Sequence, residues 1–515
     1  MSASLPDFIA GYGPVRPFAG AFAHLGEASR VAVRVQSIRP DAAKVLPSIR
    51  SAIQACGLKD GATVSFHHHL RNGDDVLRAV MAEIAALGLK DIRVAASSLF
   101  PVHVPLVEHM RAGVVTGLVT SYMSGPVAAA VARGLLATPA ILQTHGGRAR
   151  AIEAGEVHID VAFVASPTAD TYGNLNGVQG RSACGTLGYP MTDVRYADRV
   201  VAITDNLVPY PACPIDISQE DVDFVVSVPS IGDPQQIVSG STRPTEKADG
   251  LAIAAQAAQL IEASGLLEDG FSFQTGAGGI SLATAACLKD IMVKHGTVGS
   301  FAAGGITGTI VDMFHAGLFR SLLDVQCFDL KAVASYRDDA AHQAMSASMY
   351  ANPHNRGAVV NRLDAMILGA AEVDLGFNVN VTLGADGIIL GGSGGHSDTA
   401  AGAKLAIVTT QLRAKAHPKI VERVSSITTP GETIDAVVTE AGIAVNPKRK
   451  DLRARLAGHG LNLVSIDELC QIARDGVEVA PPSPKGSNDR IVAVTEYRDG
   501  TIIDVIRMTR RIGEL

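Results

Sequence analysis

Blocks of this chain recur at a fixed spacing, and that recurrence limits the fold more than any single motif. Asp160-Val161-Ala162-Phe163-Val164 returns as Asp364-Ala365-Met366-Ile367-Leu368, 204 positions on, and Asp170, Asn174 and Asn176 return at the same spacing as Asp374, Asn378 and Asn380. Val107 to Gly113 likewise matches Val311 to Gly317, 204 positions on, each an amphipathic helix closed by glycine. A fourth match sets Val64-Ser65-Phe66-His67 beside Phe271-Ser272-Phe273-Gln274, 207 positions apart. Four blocks in one order describe a duplication.

Within a copy, short apolar runs such as Ile92 to Ala96 and Val200 to Ile203 alternate with helical patterns such as Asp75 to Leu87. That alternation predicts βαβ units. The expected fold is therefore α/β, with two tandem, internally duplicated open α/β domains whose sheets are mainly parallel. The expected boundaries are an N-terminal extension over 1–50, a first domain over 51–245 and a second over 246–515 that carries the C-terminal segment, with the break near Gly240 to Lys247. Glycine content, 52 of 515 residues, suits a fold with many tight strand-to-helix turns.

A net charge of -7, with no basic stripe to offset it, argues against a nucleic-acid partner. No run reaches the roughly 20 apolar residues of a membrane span, and the first residues lack a secretory signal pattern. The six cysteines show no CxxC spacing and no pairing pattern, which fits a reduced, cytoplasmic setting. An anionic substrate would have to be held by a local cluster of Arg, His and backbone N–H groups.

Four loops that follow or flank apparent strands could supply such groups: 65–74 (SFHHHLRNGD), 143–148 (QTHGGR), 274–279 (QTGAGG) and 391–398 (GGSGGHSD). Glycines there allow a ligand close to backbone N–H groups, and two N–H groups aimed at one point make an oxyanion hole, which suits acyl transfer. Neither GxGxxG nor a P-loop is present. His67, His68 and His69 cannot all ligate one ion from one side, because neighbours on a strand face opposite ways, and no metal is expected. Gly391, Ser393 and Gly395 have the GxSxG spacing, but an elbow hydrolase also requires an Asp and then a His further on, and none stands out.

These loops, together with FNVNV at 377–381 and SGGHSDTA at 393–400, resemble the alpha chains of citrate lyase. The likeness runs from about Cys56 to the C-terminus and includes Leu106 to His109, Gly304 to Thr307, Leu323 to Gln326 and Gly442 to Pro447. The resemblance implies a CoA-transferase-like fold and the exchange of acetate for citrate on an acyl carrier protein. It implies a gamma subunit bearing phosphoribosyl-dephospho-coenzyme A as the thioester, with acetyl-CoA as a substitute and no cofactor bound covalently to this chain. A beta subunit would cleave the citryl thioester to oxaloacetate. The competing expectation is a stand-alone CoA-transferase or thioester hydrolase.

Related CoA-transferases use a glutamate nucleophile in a block resembling 300–312, where this chain has Gly304 and no acid from Ser300 to Val311. A direct exchange through a mixed anhydride is therefore expected. Under the same resemblance His67, His68, Arg71, His145, Gly146, Gly147 and Arg148 would bind citrate. Gln274, Gly278, Gly279, Gly394, Gly395 and His396 would stabilise the tetrahedral intermediates, with Glu372 as a base or orienting group. Gly276, Gly304, Gly305, Asn378 and Asn380 would hold the thioester arm.

Overall fold

The structure, a computed structural model, describes residues 5–23, 26–33, 35, 37–238, 244–276, 278–477 and 490–509. The strands of the first half are β1 (Thr63–Phe66), β2 (Ile92–Ala96), β3 (Val115–Thr120), β4 (Ala140–Leu142), β5 (Val161–Ser166), β6 (Arg199–Thr204) and β7 (Phe224–Ser227). Those of the second are β8 (Ser272–Thr275), β9 (Gly299–Ile306), β10 (Phe319–Cys327), β11 (His342–Ala344), β12 (Ala365–Gly369), β13 (Leu405–Thr409) and β14 (Ala436–Thr439).

Both halves use one strand order. The first reads β4-β3-β2-β1-β5-β6-β7 and the second β11-β10-β9-β8-β12-β13-β14, and every neighbouring pair in these runs is parallel. The expected duplicated, mainly parallel α/β architecture is what the chain adopts. Chain direction reverses across the sheet between β1 and β5, and again between β8 and β12; ligands in open α/β sheets bind beyond the carboxyl ends of strands at such points.

Other repeat signals hold in detail. The helices Leu106–Arg111 and Gly308–His315 both close on a left-handed glycine, Gly113 at φ +68° and Gly317 at φ +75°. In each of the matched hairpins an aspartate caps the turn: Asp170 Oδ1 accepts from Gly173 and Asn174 N, and Asp374 Oδ1 from Gly376 and Asn378 N. The fourth block differs. Val64 lies opposite Val161 while Phe273 lies opposite Ala365, so Val64 corresponds to Phe273, 209 positions on and not 207. Gln274 is thus the counterpart of Ser65, and Gly276 that of His67. A two-residue slip keeps every side chain on its own face, so alternation cannot detect it.

The C-terminal segment corrects the expected division. Strands β15 (Ile491–Glu496) and β16 (Ile502–Arg507) form a hairpin, and β15 pairs with β4 of the first half. The short strand β4 thereby becomes internal, and β16 takes the sheet edge in its place. Residues 1–50 are not a separate extension either: Ile9 packs with Val494, Ile502 and Val505, and Val45–Leu46 pairs with β7 at the other edge. The anticipated break around Gly240 falls mostly outside the described residues. Among the described residues no helix is long and apolar enough to cross a membrane.

A shared apolar cluster joins the halves, with Ala149 and Tyr189 from the first and Ala303, Val325, Met345 and Tyr350 from the second. The strand ends and their loops meet above it.

Candidate functional site

Beyond β1 the chain presents three buried histidines and a buried arginine. His67 Nε2 accepts from Ala165 N at 2.9 Å, so its proton sits on Nδ1, which lies 2.5 Å from His69 Nδ1. Burial pulls its pKa to about 4. His67 is therefore a neutral brace between β1 and β5 with both nitrogens occupied, which corrects its expected place among the citrate ligands. His68 bonds Ser97 Oγ at 2.7 Å and packs its ring 4.5 Å from Tyr189 and 5.8 Å from His145. Its pKa also falls well below the usual value, through burial and then the neighbouring histidines and Arg71.

Arg71 stands apart. Its backbone is left-handed, φ +51°, a conformation rarely held by a side chain of this kind outside functional sites. The guanidinium lies 5.3 Å from the ring centre of Phe100 and 5.2 Å from that of Phe328, so each half provides one aromatic face. It is 8% exposed, its Nε has no partner, and no carboxylate pairs with it among the described residues. Burial pushes its pKa down, opposed by the nearby Tyr122 and Tyr189 phenols.

The HGGR loop becomes helix α1 (His145–Glu153), and its N-terminus is fully engaged. Thr144 Oγ1 accepts from Gly147 N at 2.7 Å, Gly146 N donates to Asp398 Oδ2 at 2.9 Å, and His145 N donates to Gly394 O at 2.8 Å. Gly146 and Gly147 thus have no N–H left for an anion, contrary to expectation. Gly146 is needed instead for close approach, since a Cβ there would overlap the Ala351 carbonyl. Arg148 is also corrected: it is buried in a two-bond pair with Asp193, at 2.7 and 2.6 Å, with a third bond to Ala95 O at 3.0 Å. That pair ties α1 to helix α2 (Pro190–Tyr196). The His145 ring remains available, tilted against Tyr189 at 4.6 Å with Nδ1 unpartnered among the described residues, and burial followed by Arg148 pulls it to about 3.

On the second half Gln274, near the end of β8, donates from Nε2 to the Tyr350 hydroxyl at 2.7 Å. A Cβ on Gly304, at φ +95°, would run into the Gln274 amide, and one on Gly305 into the Phe328 ring. The register of β9 against β10 shifts between these two glycines. Gly304 and Gly305 therefore admit their neighbours' side chains. Gly276 N is bound to Ile367 O at 2.8 Å. Gly278 begins helix α3 (Gly279–His295), whose first turn has no side-chain cap, and Ser281 Oγ in that turn is buried without a partner. Ala277 lies outside the described residues.

The SGGHSDTA loop leads into helix α5 (His396–Gly402), which follows the short α4 (Ala347–Ala351) in the chain. Gly394 N is taken by Ser121 O at 3.0 Å, whereas Gly395 N makes no hydrogen bond among the described residues. His396 has both nitrogens engaged, Nδ1 with Thr429 Oγ1 at 2.8 Å and Nε2 with Gly369 O at 2.9 Å, and burial holds it near 4. It anchors α5 to the end of β12 and cannot orient an intermediate directly. Glu372 accepts from Asn380 Nδ2 at 2.9 Å, Ser425 N at 2.8 Å and Ser425 Oγ at 3.0 Å. Asn378 bonds Asp374 and Gly431 N, and Asn380 bonds Leu383 O. Asn378 and Asn380 hold their own loops, and Glu372 orients Asn380 and Ser425.

Sequence reasoning missed the aromatic walls Phe100, Tyr189, Phe328 and Tyr350, because nothing local in the sequence brings them together. It also missed Asp398, which accepts from Thr144 Oγ1 at 2.9 Å and lies 3.5 Å from Arg498 on the C-terminal hairpin. Burial lifts the Asp398 carboxyl to about 6 despite those partners. Its presence inside SGGHSDTA was the available signal. Away from the cleft, Asp324 Oδ2 accepts from Cys327 Sγ at 3.0 Å and pairs with His342 Nε2 at 3.2 Å, so hydrogen bonds account for that buried trio.

Residues 42–509 match the family model for citrate lyase, alpha subunit (CitF). The chain is 45% identical over 467 residues to the citrate lyase alpha chain of Klebsiella pneumoniae, covering 91% of this chain and 92% of that one. It is 46% identical over 463 residues to that of Haemophilus influenzae, covering 90% and 92%. Among solved structures it is similar to an alpha subunit of citrate lyase in complex with citrate from Streptococcus mutans, with a TM-score of 0.95, 44% identity and 99% of each chain covered. A Pseudomonas malonate decarboxylase hetero-tetramer in complex with malonate shares the fold alone, at a TM-score of 0.64 and 18% identity over 84% of this chain and 86% of that one.

Proposed function

The chain belongs to the citrate lyase alpha-subunit family and is the transferase subunit of a citrate lyase, and from that premise we propose that its inter-half cleft exchanges acyl groups directly between citrate and a thioester. The observation that carries this reading is Arg71: a guanidinium buried between Phe100 and Phe328 with no carboxylate partner among the described residues, just beyond the carboxyl end of a strand at the reversal point. A planar guanidinium takes a carboxylate through two parallel hydrogen bonds. His68 and His145, neutral and stacked on each other beside Tyr189, supply further polar edges for a polycarboxylate. The Streptococcus mutans relative, which holds citrate, supports that choice of ligand.

The chemistry follows from what the cleft contains. A citrate carboxylate oxygen attacks the acetyl carbonyl, the thiolate leaves, and a citryl-acetyl anhydride forms. The thiolate then attacks the citryl carbonyl and acetate departs. Gly395 N–H and the uncapped N–H groups of α3 face the two tetrahedral oxyanions. Each such donor contributes about 2.7–4 kcal/mol, and positioning both reactants about 7–11 kcal/mol. No enzyme nucleophile enters: Glu372 is committed to Asn380 and Ser425, and Gly304 has no side chain.

The thioester donor is the acetylated phosphoribosyl-dephospho-coenzyme A arm of a gamma carrier subunit, with acetyl-CoA as its substitute. A beta subunit cleaves the citryl thioester, and the complex works in the cytoplasm. Single-turnover exchange with carboxyl-18O citrate and acetyl-carrier tests the route. The direct path delivers one citrate oxygen to the released acetate, whereas a glutamyl intermediate would release unlabelled acetate in the first turnover.

A further inference from the structure

We propose that the Tyr350 hydroxyl is a catalytic residue of this exchange, donating a hydrogen bond to the carbonyl oxygen that becomes the tetrahedral oxyanion. The inference rests on the acyl-exchange reading above and adds a side-chain donor to its backbone donors. Three observations support it, beginning with hydrogen bookkeeping. Tyr350 is 3% exposed, and its oxygen already receives the Gln274 Nε2 hydrogen at 2.7 Å. The phenol's own hydrogen then has no acceptor among the described residues. Gln274 is 5% exposed and its Oε1 is also unpartnered.

Inverting the amide does not remove the surplus. The phenol would then donate to Oε1, and Nε2 would be left with two uncommitted hydrogens in the same place. Either way a buried pair holds a donor in reserve, which is unfavourable unless a water or, in the complex, a substrate oxygen accepts it.

The second observation is location. An ideal Cβ on Gly395 would lie 2.5 Å from the Tyr350 oxygen, so the phenol looks directly into the space that glycine leaves open, beside the free Gly395 N–H. Gly304 packs against the same Gln274 amide from the other side. The third is rigidity. The ring belongs to one apolar cluster with Ala149, Tyr189, Ala303 and Met345, and Ser346 caps the helix that carries it by accepting from Met349 N at 3.0 Å. Burial, together with the Asp398 charge, raises the phenol above its ordinary value, so it stays protonated and serves as a donor throughout. No proton is transferred, and the bonds made and broken in the exchange are unchanged.

Tyr350→Phe keeps the ring and removes only the donor. In the holoenzyme with acetyl-carrier, kcat for acetyl-citryl exchange should fall about 100-fold, the loss typical of one oxyanion donor. Citrate Kd should stay within about twofold and the melting temperature essentially unchanged. A folded Tyr350→Phe enzyme with kcat within about threefold of wild type overturns the proposal. Should that variant fail to fold, trifluorotyrosine at 350 gives the answer. Its more acidic phenol should add an alkaline loss of rate that wild type lacks, and an unaltered pH profile overturns the proposal because a packing role has no such limb. Failure of wild type to exchange acyl groups would overturn the parent reading as well, whereas an active wild type with an indifferent Tyr350→Phe overturns this inference alone.

Discussion

Replacing Arg71 by Met should move stability and citrate binding in opposite directions. In the free protein the Arg71 side chain is 8% exposed, its Nε lacks a partner and no carboxylate pairs with it among the described residues. Its compensation comes from two aromatic faces at 5.3 and 5.2 Å, each contributing about 0.5–2 kcal/mol. The effective penalty for burying a lone ion is several kcal/mol, so the two terms roughly cancel or the ion loses. Methionine keeps an apolar stem and a polarizable sulfur between the same rings. Unfolding free energy should therefore change little or rise.

Citrate reverses the balance. Truncating one partner of a buried, hydrogen-bonded charge pair costs about 2–5 kcal/mol, which weakens Kd by about 30-fold to about 5,000-fold. Titration calorimetry with citrate and denaturant unfolding of the same preparation read both quantities. Unchanged citrate affinity would refute the argument, and so would a stability loss of several kcal/mol, because Arg71 would then be a structural brace like Arg148.

Arg148→Met gives the contrasting outcome: it strands Asp193 inside the protein and should cost about 3–5 kcal/mol in denaturant unfolding, with Arg148→Met/Asp193→Leu recovering much of the loss. Glu372→Gln should retain exchange within a few-fold, and no acyl adduct should be trapped at 372 by hydroxylamine under turnover; such an adduct in wild type would sink the direct route. The buried histidines make stability fall on acidification. His67 has a folded pKa of about 4 against an ordinary 6.5, so the unfolded chain binds more protons between those values. Comparing wild type with His67→Gln from pH 6.5 down to 4 should show wild type losing about 1.4 kcal/mol more per pH unit, and parallel stability profiles would contradict the assignment.

What could be read in the sequence divides along a physical line. Strand and helix positions follow from local periodicity, so β2 runs from Ile92 to Ala96 as expected and Gly113 and Gly317 close their helices. The duplication was legible because the shared sheet fixes spacing through buried strands. Its one misjudged register, at β1 and β8, slipped by two residues, a displacement that alternation cannot register. Side-chain commitments were illegible for another reason. Arg148 seemed a free cation until its partner, 45 residues away, was placed, and Gly146 seemed an anion donor until Asp398, 252 residues away, took its N–H. Glycine loops mark close approach, and only the fold decides whether a ligand or a neighbouring carbonyl makes it.

Duplication also explains why the two loops at the reversal points came to differ. Equivalent strands β1 and β8 carry His67 and Gly276 at matching positions, so one scaffold supports a cationic, aromatic loop in one half and a glycine loop with an open helix N-terminus in the other. Anion recognition and oxyanion stabilisation can then be tuned separately, but only if the halves keep their separation to a fraction of an ångström. Several contacts independently fix it: the bridge between Thr144 and Gly394, the Gln326 amide on His68 O at 2.9 Å, and Asp398 held by both α1 and Arg498. Because Arg498 arrives on the hairpin that extends the first sheet, the C-terminal segment reaches back to lock a carboxylate of the second half. The direct route proposed above depends on that rigidity, since a path with no covalent intermediate to hold the acyl group leaves geometry alone to keep the anhydride and the thiolate together.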